Sequence, residues 1–139
     1  MEKSPINQCK VRDWREAPVI DEKTLYDDLT RHVYYTLGRD QETQSHLYLY
    51  NALALTIRDR LVALCRATRE ARLASPRKQV AYLSLEFLMG RALSNAVLNL
   101  DLDASVKEAL QQYCSNIEEV SEAEHDAGLG NGGLGRLAA

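Results

Sequence analysis

Phenylalanine and tryptophan occur once each in this 139-residue chain, and seven tyrosines bring the aromatic share to only 6%. A core built from it must rest on Leu, Ala and Val. The three cysteines, Cys9, Cys65 and Cys114, are odd in number, far apart and without a CxxC pair. That spacing excludes a zinc ribbon or a closed disulfide framework and points to free thiols in a reducing compartment. No stretch approaches the run of about 18 apolar residues that a membrane-spanning helix needs. The opening Met1-Glu2-Lys3-Ser4-Pro5 lacks the apolar run of a secretory signal. The expectation is a cytoplasmic chain without membrane contact. The three histidines, His32, His46 and His125, share no helix face, so no metal site and no nucleophile–base pair is expected, only surface or packing roles.

What is present is ordinary globular material, with 45% hydrophobic and 27% charged residues. The length suits one domain with a real core. The net charge of −3 hides an uneven distribution. From Arg58 to Arg91, eight basic residues stand against Asp59, Glu70 and Glu86; from Asp101 to Asp126, eight acidic residues stand against Lys107 alone. A basic stripe can bind nucleic acid, but no aromatic platforms interleave with these arginines. A solvated helix face docked on acidic neighbours is the better reading.

Residues 1–20 are polar, hold Pro5 and Pro18, and read as a loose N-terminal arm. Asp21 is placed to cap a helix from Glu22, along which Leu25, Leu29, Val33 and Leu37 recur every four residues. Gly38 stands where a terminating glycine belongs. Ser45 is placed to cap a longer helix with a seam of Leu47, Tyr50, Ala54, Ile57, Leu61 and Leu64, closed by Ser75-Pro76. The apolar run Val80–Leu85 fits a buried strand. A helical run follows through Leu93, Ala96, Val97 and Leu100, then two acidic helices over 104–113 and 117–125.

The composition then changes abruptly. Five of the seven glycines fall within 128–135. Leu129 and Leu134 are not linker residues, and Arg136-Leu137-Ala138-Ala139 resumes a helix former's pattern. Gly128-x-Gly130-x-x-Gly133 and Gly130-x-Gly132-x-x-Gly135 both satisfy a dinucleotide fingerprint, but that motif needs a strand directly before it, and Ile117–Glu124 reads as helix. A Walker A loop fails because Arg136-Leu137 occupies the place of Lys-Ser/Thr. There remains a loop that brings bare backbone close to a ligand at a helix start. The amides of Gly132, Gly133 and Leu134 then face an anion, helped by the helix dipole.

Tyr82-Leu83-Ser84-Leu85-Glu86-Phe87-Leu88-Met89-Gly90-Arg91 resembles a stretch of the α-glucan (glycogen, starch and maltodextrin) phosphorylases. Asp126-Ala127-Gly128-Leu129-Gly130-Asn131-Gly132-Gly133-Leu134-Gly135-Arg136 is similar to that family's glycine-rich segment, at the family's spacing. His32–Asp40 and Ala52–Leu61 resemble its first two helices, so the resemblance covers about residues 21–139. It implies an α/β fold: the N-terminal portion of a glycosyltransferase-B-type arrangement, mostly α-helical in this stretch, with one or two strands. Residues 21–139 would be the N-terminal part of the catalytic domain.

The implied activity is release of glucose 1-phosphate from an α-1,4-glucan by inorganic phosphate, with retention at the anomeric carbon. The implied cofactor is pyridoxal 5′-phosphate, held by a lysine beyond Ala139, with its own phosphate exchanging a proton with the substrate phosphate. Gly133 would offer its amide to the substrate phosphate as the catalytic donor. Gly132 would shape that approach, Leu134 would face the glucosyl unit, and Asn131 would hold the loop. Glu86 would either order polar groups near the substrate or form a structural salt bridge, to Arg91 or Arg136.

The implied partners are the glucan, phosphate and a second copy of the chain, contacted through the first helix and Tyr34–Asp40; the implied location is cytoplasmic. With so little of the machinery present, these 139 residues alone are expected to be inactive. The alternatives are a non-catalytic helical module and, on the fingerprint alone, a dinucleotide-binding domain. Leu73 stands where hormone-regulated animal members place a nucleotide-stacking aromatic, although Asp40 is retained. Ser4 lacks the basic setting of their phosphorylated serine. These departures lead to the expectation of an unregulated, bacterial-type parent.

Overall fold

The structure, a computed structural model, describes residues 22–40, 45–75, 77–83 and 90–126. The described part is helical. Helix α1 (Glu22–Arg31) continues into a π-helical turn (His32–Thr36). Then come α2 (His46–Leu73), α3 (Leu93–Asn99), α4 (Asp103–Gln111) and α5 (Ile117–Ser121). Asp21, the expected cap of α1, lies outside the described residues.

The four-residue spacing on α1 forms the floor of the core. Leu25, Leu29 and Val33 are all buried, and α1 lies against both α4 and α2. Leu102, Val106, Ala109 and Leu110 meet it from α4 and the residue before it, and Val97 and Val120 close the sides. Burying a leucine fully contributes about 2 kcal/mol, so a handful of such residues is enough to organise the five helices. Tyr113 fills the edge of this contact: its ring centroid is 5.8 Å from that of Tyr26, and its hydroxyl shares a 2.7 Å hydrogen bond with Thr30.

The end of α1 widens before it stops. The Leu37 amide donates to the His32 carbonyl over 2.9 Å, five residues back, and the Arg39 amide donates to the Val33 carbonyl over 3.0 Å. Gly38 makes the reversal possible, with φ of +62°. No neighbour lies within 4 Å of where a Cβ would sit there. Its requirement is therefore conformational rather than steric.

Helix α2 starts at the expected cap, Ser45, although the Ser45 side chain makes no capping hydrogen bond. The apolar seam expected on it needs correction. The buried positions are Leu49, Ala52, Leu53, Thr56, Ile57 and Arg60, while Leu47, Leu61 and Leu64 are exposed and only Ile57 is common to both sets. The true stripe is rotated by one residue position, roughly 100° around the axis. It carries two polar residues that satisfy themselves locally. Thr56 Oγ1 donates to the Ala52 carbonyl over 2.8 Å, and Arg60 Nη1 donates to the Thr56 carbonyl over 3.0 Å. Arg60 Nη2 reaches Asp28 of α1 at 3.2 Å. Beyond Arg60, α2 runs on for three more turns with its side chains almost all exposed.

The strand expected over Val80–Leu85 is the second correction. Val80–Leu83 carry no regular secondary structure, and Val80 and Leu83 are more than 90% exposed. A buried strand needs neighbouring strands for its backbone and cover for both faces. No strand occurs among the described residues, so nothing in them can supply either. Ser84 and Leu85 lie outside the described residues.

The later helices follow their sequence signals closely. α4 and α5 begin within a residue of the expected starts and end two and four residues short. Asn116 caps α5, its Oδ1 accepting from the Glu119 amide over 2.8 Å.

Candidate functional site

Glu86, Asn131, Gly132, Gly133 and Leu134 all lie outside the described residues, so their placement is not assigned. The structure does describe the edges of the two motifs they belong to: Tyr82, Leu83, Gly90 and Arg91 of the first, and Asp126 of the second. These edges are brought together. Arg91 Nε donates to Asp126 Oδ1 over 2.7 Å, joining positions 35 apart in sequence.

The local fold explains the convergence. Helix α3 begins at Leu93, with Ala92 in the capping position after Arg91, and its first amides have no partner within the helix. Glu124, in the turn after α5, supplies acceptors from outside. Its Oε1 takes the Ala92 amide over 2.8 Å, and its Oε2 takes the Leu93 amide over 3.2 Å. A Ser94–Ser121 hydroxyl contact of 3.2 Å runs beside them. Burial foremost, and then the Glu124 carboxylate, push the pKa of Tyr50 on α2 above the ordinary phenol value. One carboxylate thus ties the turn after α5 to the start of α3. Arg91 itself has φ of +52°, in the left-handed region that a long side chain seldom adopts.

Sequence reasoning missed Glu124, which stood among many acidic residues with nothing to mark it. It also missed the Asp28–Arg60 pair: Arg60 counted toward a solvated basic face, yet its side chain is only 7% exposed. Arg58, Arg66, Arg69 and Arg72 are exposed, as that face predicts. Arg91 pairs with Asp126, a partner the sequence did not suggest; the salt bridge expected of Glu86, to Arg91 or Arg136, falls outside the described residues.

The histidines divide as expected between packing and surface. His32 is buried, its Nδ1 sharing a 3.0 Å hydrogen bond with Thr36 Oγ1 and its Nε2 lying 3.3 Å from Asp59. His46 and His125 are exposed. Cys65 and Cys114 are free thiols, as the odd count suggests. No cluster of three His, Cys, Asp or Glu among the described residues is able to hold a metal ion, and no described helix is long and apolar enough to cross a membrane. A cleft of ≈330 Å³ at the start of α2 is lined by Ser45, His46, Leu49, Tyr113, Cys114 and Ser115, but the His46 ring is directed toward Glu119, 3.6 Å away. The dinucleotide reading loses its structural context: Ile117–Asp126, directly before the glycine-rich stretch, is helix and turn, not strand.

Comparison with known proteins resolves what the described geometry alone leaves open. The chain is 47% identical over 115 residues to the liver form of glycogen phosphorylase from Homo sapiens, covering 83% of this chain and 14% of that protein. It is 47% identical over 109 residues to the brain form from Bos taurus, covering 78% and 13%. Against the muscle form from Mus musculus it is 44% identical over 123 residues, covering 88% and 15%. No family model matches the chain. These relatives define a class of transferases of carbohydrate metabolism. Within that class, the relatives this chain matches are glycogen phosphorylases, at 44–47% identity over about 80% of its length. It spans only about one seventh of the length of the curated relatives it matches.

Proposed function

We propose that this chain is the N-terminal part of an α-1,4-glucan phosphorylase, in which residues 1–20 form an arm and residues 21–139 open a catalytic domain of glycosyltransferase-B type. The observation that carries the reading is identity of 44–47% to glycogen phosphorylases over about four fifths of the chain. The reaction is phosphorolysis of glycogen or a related glucan to glucose 1-phosphate, in the cytoplasm.

Within that reaction the glycine-rich stretch is the anion cradle. Gly133 offers its amide to the phosphate, Gly132 permits the approach, Leu134 donates near the glucosyl unit, and Glu86 orders polar groups beside them. Fixed backbone donors in a cleft poor in water stabilise an anion without reorganising during the reaction. Pyridoxal phosphate is the cofactor proposed for the whole enzyme, but the described residues do not form its site. Lys107 is tied to Asp103 at 2.7 Å and Lys78 is exposed, so neither is poised in a pocket for an aldehyde. We propose in addition that the 139 residues alone are inactive and bind no cofactor. Glucose 1-phosphate formation, with cofactor absorbance retained through gel filtration, would overturn this.

The test of the cradle is Gly133→Ala in a phosphorylase-length polypeptide carrying this stretch. The added methyl intrudes where backbone and phosphate meet, and kcat/KM for phosphate falls by roughly 10²-fold, the scale of losing one oxyanion donor. Wild-type phosphate kinetics in a folded, cofactor-loaded Gly133→Ala enzyme refute the cradle. The whole enzyme is further proposed to pair with a second copy through α1 and Tyr34–Asp40. Tyr35, 87% exposed, is the kind of apolar surface that such a contact covers. A monomer by light scattering across micromolar concentrations removes that part.

A further inference from the structure

The two motif edges meet at one junction. Glu124 accepts the amides of Ala92 and Leu93 with separate carboxylate oxygens. Two residues later, Asp126 takes Arg91 Nε at 2.7 Å. Arg91 closes the first motif and Asp126 opens the second. Arg91 also sits in the left-handed region at φ +52°, a conformation that persists only where surrounding bonds over-determine it.

Each contact taken singly has a weaker explanation. A carboxylate on first-turn amides is a common helix cap, and Arg91 and Asp126 are both well exposed, so their ion pair alone adds little stability. Neither explanation accounts for both bonds falling where one motif ends and the other begins. Together they fix the chain at 91–93 to the chain at 124–126.

We propose that Glu124, supported by the Arg91–Asp126 pair, is a positioning residue that sets the origin of the glycine-rich stretch for phosphate binding. The inference rests on the anion-cradle reading and adds to it a part outside the cradle. Glu124 touches no substrate; it acts through the backbone it holds. Its loss displaces donors from the anion rather than removing one, and the expected loss is correspondingly smaller than for Gly133→Ala.

The test has two arms. In the 139-residue chain, Glu124→Gln leaves the side chain's size unchanged and removes its charge, and the Ala92 and Leu93 amides exchange with solvent about fivefold faster. In a phosphorylase-length polypeptide carrying this stretch, Glu124→Gln and Asp126→Ala each raise KM for phosphate about fivefold, leaving KM for glucan unchanged. Arg91→Asp combined with Asp126→Arg recovers most of what either charge change loses. A purely structural role lowers stability without moving the phosphate KM. If Glu124→Gln and Asp126→Ala both keep the wild-type phosphate KM in an enzyme that Gly133→Ala cripples, the positioning role is overturned and the cradle stands. If Gly133→Ala is itself silent, the cradle falls, and phosphate positioning by Glu124 falls with it.

Discussion

Removing Asp28 damages this fold more than removing the arginine it pairs with. Arg60 projects from α2 into the contact with α1, its side chain 7% exposed, and its Nη2 lies 3.2 Å from Asp28 Oδ2. Its Nε is buried with no hydrogen-bond partner, and its Nη1 is occupied by the Thr56 carbonyl. Asp28→Ala leaves a buried guanidinium without a counter-charge. Breaking a fully buried pair costs about 3–5 kcal/mol. Asp28 is 21% exposed and water can replace part of what it supplied, so about 2 kcal/mol is expected here. Arg60→Met removes the charge and keeps an apolar stem in the contact. Asp28 then retains Arg31 at 3.8 Å and its access to water. That variant loses about 1 kcal/mol, and the double variant loses no more than Arg60→Met alone. Urea unfolding of the four proteins, read as midpoint shifts at constant slope, gives the comparison. Asp28→Ala no more destabilised than Arg60→Met, or strictly additive losses, would refute the reasoning.

Gly38→Ala meets no steric obstacle but forces a side chain to φ +62°, so a loss of about 1 kcal/mol is expected in the same unfolding experiment, and an unchanged midpoint contradicts the assigned terminator role. Asn116→Ala removes the cap of α5 and costs about 1 kcal/mol, while Asn116→Asp restores most of it. Burial raises the pKa of Tyr113, against the opposing Thr30 hydrogen bond, and burial with Glu124 raises that of Tyr50, so both native phenols resist ionisation past the ordinary value of 10.0. Their contribution to stability is intact below that pH and is lost as pH rises through the native values. Ultraviolet titration of the native chain then shows two tyrosines ionising late, and Tyr113→Phe removes one of them.

The helices were legible because their signals are local. Leu25, Leu29 and Val33 repeat at a helical period, and Gly38 and Ser45 sit at the ends they mark. The inner face of α2 was not legible, because two apolar stripes compete on it. The richer stripe, through Leu47, Leu61 and Leu64, is exposed, while the buried one contains Thr56 and Arg60, whose fitness for the interior depends on a carbonyl one turn back and on Asp28 of another helix. No periodicity reports such partners. Val80–Leu83 fails as a strand for a related reason: its composition is right, but strand formation is a property of neighbours. The proposed site became legible through motif resemblance alone, since backbone donors leave no mark in a sequence except the glycines that bare them. Glu124 has no such mark, and only the fold brings it to Ala92 and Leu93.

Helix α2 is 28 residues long, about 42 Å, and its last packed side chain is Arg60. The thirteen residues that follow form a helix with almost no tertiary support among the described residues, near the length at which an isolated helix is only marginal in water. Order along α2 is therefore graded rather than uniform. Amide protection falls from the global value near Ile57 toward nothing at Leu73, and the end of the helix melts well before the core does. A circular-dichroism melt of this chain slopes before it breaks. Attributing the slope to the whole domain would misstate both the enthalpy and the cooperativity of its unfolding.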